Sequence, residues 1–204
     1  MPVLTPAHLE AAQSYDAYQA MIEQQLANGK TTGNNHSEAM LGYTQLNVQR
    51  MHRLDKVVWL NEALQEQIAA LTTSWLWVVL TEAWCGDAAQ SIPVMAKIAD
   101  ASPLITLKLL LRDEHPDVMN AYLTNGSRSI PKLICVTEDL QELGTWGPRP
   151  VQAQKLMTDF KAQYPEQDYQ ALAKEMQLWY ARDKTQSIQQ EFTALLATWG
   201  KFTD

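Results

Sequence analysis

The sequence predicts an α/β fold with a mixed sheet, preceded by a helical extension and followed by further helices. Three short apolar runs rich in aromatic and β-branched residues occupy residues 75–80, 104–111 and 132–136. Each has the composition of a strand buried on both faces. Before and after this region only helical periodicity is found, which predicts a division into residues 1–71, 72–162 and 163–204.

The N-terminal extension is predicted to contain three helices. Thr5 and Pro6 have the order of a helix cap followed by a first-turn proline. One helical stripe then runs as far as Gly29 and comprises Leu9, Ala12, Tyr15, Tyr18, Ile22 and Leu26. Ser37 is the predicted cap of a second helix. A third helix is predicted from the spacing of Leu60, Leu64, Ile68 and Leu71.

In the core, helical segments at residues 88–99 and 116–123 separate the three apolar runs. The alternation of strand and helix favours parallel pairing through right-handed crossovers. Residues 140–146 form a fourth candidate strand after a short turn. A parallel connection needs a longer crossover, so this strand is predicted to pair with its predecessor as an antiparallel hairpin.

The C-terminal segment, residues 163–204, is predicted to be helical, with apolar stripes that face the core. One stripe comprises Tyr169, Leu172, Met176, Trp179 and Tyr180. The other comprises Ile188, Phe192, Leu195, Leu196 and Trp199.

Composition narrows the possible function and location. The chain has 204 residues and a formal net charge of −7, which argues against broad binding to nucleic acid or to an anionic membrane surface. No apolar run has the length of a membrane span, and the N-terminus lacks the pattern of a secretory signal. A cytoplasmic location is therefore predicted, and the two cysteines are expected to be reduced.

The stretch "LTEAWCGDAAQSIPVM" (80–95) carries the clearest chemical signal. Cys85 falls between a predicted strand and a predicted helix, where backbone N–H groups and the helix dipole favour an anion. We therefore expect the thiol pKa to be lowered, with partial cancellation by the carboxylate of Asp87. Pro93 lies inside the same helix and predicts a kink there, or a restart at Ser91.

A second signal, "SRSIPKLICV" (127–136), places Pro131 at the start of a strand. "WCGDA", the proline that follows the cysteine within the helix, and "RSIP" together resemble the thioredoxin family. The longer motif "WCGDAAQ", with "LNVQRMHRLDK" before it and "LGTWGPRP" after it, is similar to an uncharacterised bacterial subgroup of thioredoxin-like proteins. The resemblance implies a three-layer α/β/α core in which N-terminal helices replace the usual first strand.

The resemblance also implies roles for individual residues. Cys85 matches the attacking cysteine, and Trp84 and Gly86 match the residues that flank it. Ile130 and Pro131 match the cis-proline loop that docks a substrate beside the thiol. Together with Asp87, these are the predicted catalytic and substrate-binding residues.

Three departures from the family pattern bear on the function. Ala88 stands where the family has its resolving cysteine, and Asp87 stands where it usually has proline. Val79 occupies the position at which many thioredoxins bury an acidic proton carrier. Cys135 is not expected to replace the missing thiol, because it lies about 13 Å along a strand from Pro131 and a disulfide needs α-carbons within about 7 Å.

Two functions are compatible with these residues. In the first, the Cys85 thiolate forms mixed disulfides that an external thiol, such as a small cellular thiol, resolves. In the second, the chain is a redox-inactive module that binds a protein or peptide at the cis-proline groove. Thiols and disulfides of proteins or small molecules are the predicted partners, and a homodimer is compatible with the sequence.

The remaining groups of polar residues give weaker functional signals than the Cys85 motif. The four histidines, at positions 8, 36, 52 and 115, show no metal-ligand spacing, and neither a metal nor any other cofactor is predicted. Arg50, His52, Arg53 and Lys56 form a small basic cluster. Because the overall charge is acidic, this cluster is interpreted as a solvated helix face. Arg149, in "TWGPRP", either binds an anion or a partner or belongs to a simple connection, and the proline and glycine content favours the connection.

Overall fold

A computed structural model of the chain describes residues 3–166 and 169–202. Its centre is a four-stranded sheet in the order β2-β1-β3-β4, with helices flanking it. The strands are β1 Trp75–Thr81, β2 Ile105–Leu111, β3 Lys132–Thr137 and β4 Glu142–Trp146. All four lie where the sequence predicted them, and the predicted α/β class with a mixed sheet is confirmed.

The first predicted helix is divided into α1 (Pro6–Ala11) and α2 (Tyr15–Ala27). Between them, Gln13 exchanges two backbone hydrogen bonds of 2.8 Å with Leu109 in β2. This bridge occupies the free edge of the sheet, which would otherwise expose unpaired backbone groups. Ser14 then caps α2 by accepting a hydrogen bond from the Ala17 N–H. A continuous helical stripe was therefore the wrong prediction for residues 9–26, because pairing with the sheet overrides helical periodicity.

The other two helices of the extension lie where they were predicted. Helix α3 (Glu38–Val57) begins after Ser37, and α4 (Glu62–Ala69) begins at an Asn61 cap. The long α3 packs against α5 of the core. This contact brings part of α3 close to the residues that follow β1.

The pairing of β3 differs from the prediction. Strand β1 is parallel to β2 but antiparallel to β3. The connection between β2 and β3 contains only the short helix α6 (Pro116–Ala121). The chain enters β3 beside the C-terminal end of β1. Because the connection does not carry the chain back to the N-terminal end of β1, β3 runs antiparallel to β1. Strands β3 and β4 form the predicted antiparallel hairpin.

Helix α5 (Gly86–Asp100) continues through Pro93 without a restart at Ser91. Almost all of its residues after the first turn are buried. Burial on this scale stabilises the helix by far more than the loss of one backbone hydrogen bond destabilises it. The cysteine at its N-cap is thereby fixed against the core.

The C-terminal segment forms α7 (Val151–Gln163), α8 (Tyr169–Asp183), α9 (Gln186–Trp199) and a 3-10 turn (Gly200–Phe202). The ring of Phe192 in α9 packs at a tilt against Trp77 and Trp146 of the sheet, at centroid distances of 5.2 and 5.3 Å. Trp199 contacts Trp75 and Trp77 edge-on. Helix α9 is therefore part of the packing of the sheet.

One hydrophobic core unites residues from all three predicted segments. It contains Tyr18 and Leu64 from the extension, Trp77 and Ile92 from the centre, and Phe192 from α9. The boundaries at residues 71 and 162 remain a prediction. Within the described ranges, no helix is both long enough and apolar enough to cross a membrane.

Candidate functional site

Cys85 lies between the end of β1 and the first turn of α5, where it is the N-cap residue. Only 9% of its surface is exposed. Its Sγ donates a hydrogen bond to the carbonyl oxygen of Ile130, 3.3 Å away. The thiol at the helix terminus and the loop before Pro131 are therefore in direct contact, as the resemblance implied for these positions.

The thiol is neutral in this arrangement. Burial, followed by repulsion from Asp87, raises the pKa of Cys85 to about 12. The backbone N–H groups of Ala88 and Asp87, and then Arg149, act in the opposite direction but do not compensate. The expected lowering of the pKa at the helix terminus was therefore wrong, because desolvation of a charged thiolate outweighs the hydrogen bonds that the terminus supplies.

Asp87 is held in a buried network that joins three parts of the chain. Its Oδ2 accepts hydrogen bonds from Nε and Nη2 of Arg149, and its Oδ1 accepts one from the Tyr180 hydroxyl at 2.7 Å. Arg149 also donates to Gln154 at 2.8 Å. The side chains of Asp87 and Arg149 are only 14% and 15% exposed. Asp87 is thus an ion-pair partner, and Arg149 ties the loop after β4 to α5 and, through Asp87, to α8.

Above Cys85 lies a cavity of about 780 Å³. Trp84, Cys85, Gly86 and Asp87 contribute from the centre of the fold, and Ile130 from the cis-proline loop. The extensions supply further walls. Leu46, Asn47 and Arg50 come from α3, and Ala173, Met176 and Gln177 come from α8. Both helical extensions therefore take part in the site, a role that no motif in the sequence indicates.

Arg50 is aimed into this cavity by a buried asparagine. Asn47 has no exposed surface; it donates to the carbonyl oxygen of Ala83 at 2.8 Å and accepts from Arg50 Nη1 at 2.7 Å. A Cβ atom on Gly86 would lie 3.7 Å from the same Arg50 nitrogen and 3.0 Å from Gln177 Nε2. The guanidinium therefore lies beside the backbone that follows Cys85, and the prediction of a solvated face was wrong for Arg50. Arg53 and Lys56 are exposed as predicted.

A second arginine covers the tryptophan of the motif. The guanidinium carbon of Arg112 lies 4.8 Å from the Trp84 ring centre, within the range of a cation–π contact. Arg112 also pairs with Asp113 at 2.8 Å. The fully buried Glu82 accepts a hydrogen bond from the Asp113 N–H at 2.9 Å, and burial raises its pKa. Glu82, which the sequence analysis did not single out, therefore anchors the Arg112 turn beside the motif.

The loop around Pro131 has the conformation that the resemblance implied. The Ile130–Pro131 bond is cis, and both residues are buried. Gly147 packs against this loop with φ of +115°, and a Cβ atom there would lie 2.2 Å from the Pro131 carbonyl oxygen. Only glycine fits this position, because a side chain would meet backbone in a conformation it rarely adopts.

The second cysteine is remote from this chemistry. Cys135 is fully buried in β3, where it is paired with Trp77 and Gly144. Both cysteines are free thiols, and burial raises the pKa of Cys135. Ala88, in the position of the resolving cysteine, is also buried.

The structure also brings together three groups that sequence spacing did not connect. His8, His115 and Asp117 present ligand atoms within 4.8 Å of one another. His8 Nε2 lies 3.0 Å from Asp117 Oδ2, while its Nδ1 takes part in the cap of α1 with Thr5. Spacing could not reveal this cluster, because α1 meets α6 only in the folded chain.

The family whose profile matches residues 33–161, more than half of the chain, is described as Thioredoxin. The chain belongs to the thioredoxin family. The match covers the whole of the long helix α3 and all four strands. The thioredoxin-family fold thus includes the motif of Cys85 and the cis-proline loop in this chain.

Two solved structures resemble this thioredoxin-family chain over almost its whole length. One is a crystal structure of a protein of unknown function from Pseudomonas aeruginosa, with 17% identity and a TM-score of 0.61; the match covers 95% of this chain and 98% of the other. The second is an HIV epitope-scaffold, with 16% identity and a TM-score of 0.53, covering 91% and 98%. These likenesses concern the fold, extensions included. No curated protein matches the chain.

The raised thiol pKa predicts an alkaline loss of stability. In the unfolded chain a thiol ionises near pH 8.5, whereas Cys85 in the fold ionises at about 12. The stabilisation is complete below the first value and is lost as the pH rises towards the second. Between pH 8 and pH 10, the free energy of unfolding, measured by urea denaturation, should fall by about 2 kcal/mol more in the unsubstituted protein than in Cys85→Ser. Equal losses in both proteins would contradict a buried neutral thiol.

Proposed function

We propose that this thioredoxin-family protein binds a small molecule in the cavity above Cys85. The observation that carries the proposal is the cavity itself, whose volume of about 780 Å³ lies within the usual range of small-ligand sites. Side chains of α3 and α8 stand over the thiol and the cis-proline loop. An extended peptide would have to displace them, so a small molecule fits the site better than a protein segment.

The state of the thiol supports binding over redox chemistry. The thiolate is the nucleophile in disulfide exchange, and the pKa of about 12 at Cys85 leaves little of it at neutral pH. Ala88 offers no resolving thiol, and Cys135 is buried in the sheet. We therefore favour the redox-inactive alternative, with a small molecule in place of the peptide, and assign the Cys85 S–H the role of a neutral hydrogen-bond donor.

Exchange through a single thiol is the second candidate, and one observation favours it. Cys85 borders the cavity, and two backbone N–H groups and Arg149 would stabilise its thiolate. In that case the thiolate attacks one sulfur of a small disulfide, forms a mixed disulfide and releases the other sulfur as a thiolate. A second external thiolate then attacks the mixed disulfide and regenerates Cys85.

A cavity-filling variant tests the proposal of binding. Anilinonaphthalene sulfonate is a suitable probe, because its fluorescence rises when it enters an apolar cavity. We expect one molecule to bind per chain, and Ala173→Trp, which fills the cavity, to weaken binding at least tenfold. Ala197→Trp, on the exposed surface of α9, is the matched control and should leave binding unchanged. Equal binding to both variants, with native circular dichroism in each, would count against the cavity as the site.

Alkylation separates the two candidates. In a Cys135→Ser background, the rate of alkylation of Cys85 by iodoacetamide is measured as a function of pH. In a second measurement, the protein is incubated with glutathione disulfide and its mass is determined by mass spectrometry. Binding alone predicts a rate that still rises at pH 10 and no adduct at neutral pH. A midpoint near pH 7, together with a trapped glutathione adduct, would replace the first candidate with the second.

A further inference from the structure

We infer that the ligand of the cavity is a small polyanion, a molecule with at least two carboxylate or phosphate groups. This inference rests on the proposed function, since it names the class of molecule that the cavity takes. Among the described residues that line the cavity, five are cationic and one is acidic. The cations are Arg50, Arg112, Arg128, Arg149 and Lys174, and the acid is Asp87. The whole chain has a net charge of −7, so the cationic excess is a local property of the site.

Ion pairs within the protein account for only two of these cations. Arg149 pairs with Asp87, and Arg112 pairs with Asp113. In the part of the chain that the structure describes, Arg50, Arg128 and Lys174 form no ion pair. Arg128, which is exposed like Lys174, donates to the neutral amide oxygen of Asn120 at 2.9 Å. Three positive charges therefore border the cavity without a carboxylate partner.

Arg50 gives the strongest argument, because its position costs free energy when the cavity holds no anion. The side chain is partly buried, and burial followed by repulsion from Arg53 lowers its pKa. Its hydrogen-bond partner, the Asn47 amide, is neutral. A desolvated cation is usually paired with an anion, and here the buried Asn47 holds the guanidinium at the cavity wall. A bound carboxylate or phosphate would supply the missing charge and could accept two parallel hydrogen bonds from the guanidinium.

The unpaired cations lie on three elements. Arg50 belongs to α3, Lys174 belongs to α8, and Arg128 belongs to the loop before Pro131. A single acidic group cannot contact three walls of a cavity of about 780 Å³. A molecule with acidic groups at more than one end can do so, which is the reason for specifying a polyanion. Charge of this sign also raises the local concentration of an anionic ligand before it binds.

The charge preference can be measured at Cys85 with three thiol reagents of the same chemistry. They are methanethiosulfonates with an anionic sulfonatoethyl group, a cationic trimethylammonioethyl group and a neutral methyl group. The rates are measured in a Cys135→Ser background at pH 9 and low salt. The rate with the anionic reagent is divided by the rate with the cationic reagent, both for Cys85 and for the free thiol mercaptoethanol. This ratio should be at least tenfold higher for Cys85. This ratio is independent of the thiolate fraction, so it reports the charge of the cavity and not the reactivity of the thiol.

Arg50→Gln combined with Arg128→Gln should reduce that ratio at least fivefold. Arg53→Gln, an exposed arginine on the same helix as Arg50, is the control and should change it less than twofold. A ratio no higher than that of mercaptoethanol, or one that the double variant leaves unchanged, would overturn the inference. Failure of all three reagents to modify Cys85 would also overturn it, because an anion could then not reach the cavity floor.

Protection by non-reactive anions distinguishes the two acidic groups. Millimolar citrate or pyrophosphate should slow the neutral reagent at Cys85 at least threefold, and should not do so in the double arginine variant. Protection by citrate assigns a polycarboxylate, protection by pyrophosphate assigns a polyphosphate, and protection by neither contradicts the polyanion. A different result would contradict the proposed function. In that case Ala173→Trp would leave binding of the fluorescent probe intact, while the ratio of anionic to cationic rates at Cys85 stayed high.

Discussion

Arg149→Met is expected to lower the free energy of unfolding by about 3–5 kcal/mol, as measured by urea denaturation. The substitution leaves the Asp87 carboxylate, which is 14% exposed, with the Tyr180 hydroxyl as its remaining side-chain partner. Removing one member of a buried ion pair is far more destabilising than removing an exposed charge. Arg53→Met, at an exposed position of α3, is the matched control and should change stability by about 0.5 kcal/mol or less.

The same pair should act on the thiol in opposite directions. Asp87 raises the pKa of Cys85, whereas Arg149 lowers it. Asp87→Asn should therefore increase the alkylation rate of Cys85 at pH 9, and Arg149→Met should decrease it, although both variants are less stable. The double variant should cost no more stability than the worse single variant, because neither charge is then left unpaired. Rates that change in the same direction in both single variants would disprove the electrostatic account.

The strands were predictable because they carry the strongest local signal. Short apolar runs rich in aromatic and β-branched residues, such as residues 75–80, are typical of strands buried on both faces of a sheet. The direction of β3 was not predictable from the alternation of strands and helices. It depends on which end of β1 the chain reaches after the short connection that contains α6. The break between α1 and α2 was hidden for a similar reason, because Gln13 bonds to a strand almost a hundred residues away in sequence, at Leu109.

At the candidate site, the sequence predicted the contact between Cys85 and the loop of Ile130 but not the state of the thiol. The position at a helix terminus is a local feature, and motif spacing reveals it. Burial depends on what covers the thiol, and the cover comes from α3 and α8. Arg50 was interpreted as part of a solvated helix face because the overall charge of the chain is acidic. Its direction is set by Asn47, whose contact with Ala83 exists only in the folded chain.

Phe192→Ala is expected to lower the free energy of unfolding by about 3–5 kcal/mol. Phe192 has no exposed surface, and its ring contacts Trp77 of β1 and Trp146 of β4. The small side chain loses the transfer free energy of the ring and leaves a cavity between α9 and the sheet, and the loss of two aromatic contacts adds to the cost. Gln190→Ala, on the exposed side of the same helix, is the control and should stay within about 0.5 kcal/mol.

The way in which Phe192→Ala unfolds tests the predicted boundary at residue 162. If α9 belongs to the same cooperative unit as the sheet, tryptophan fluorescence and far-ultraviolet circular dichroism should report one shared transition, shifted to lower urea. An independent C-terminal segment would instead unfold first and leave the sheet folded, which would give two transitions. We expect the single transition, because Trp77 and Trp146 pack on Phe192 from the sheet itself. Helix α8, which immediately precedes α9, also forms a wall of the cavity. Cooperative unfolding would therefore mean that the cavity and the core of the fold unfold together.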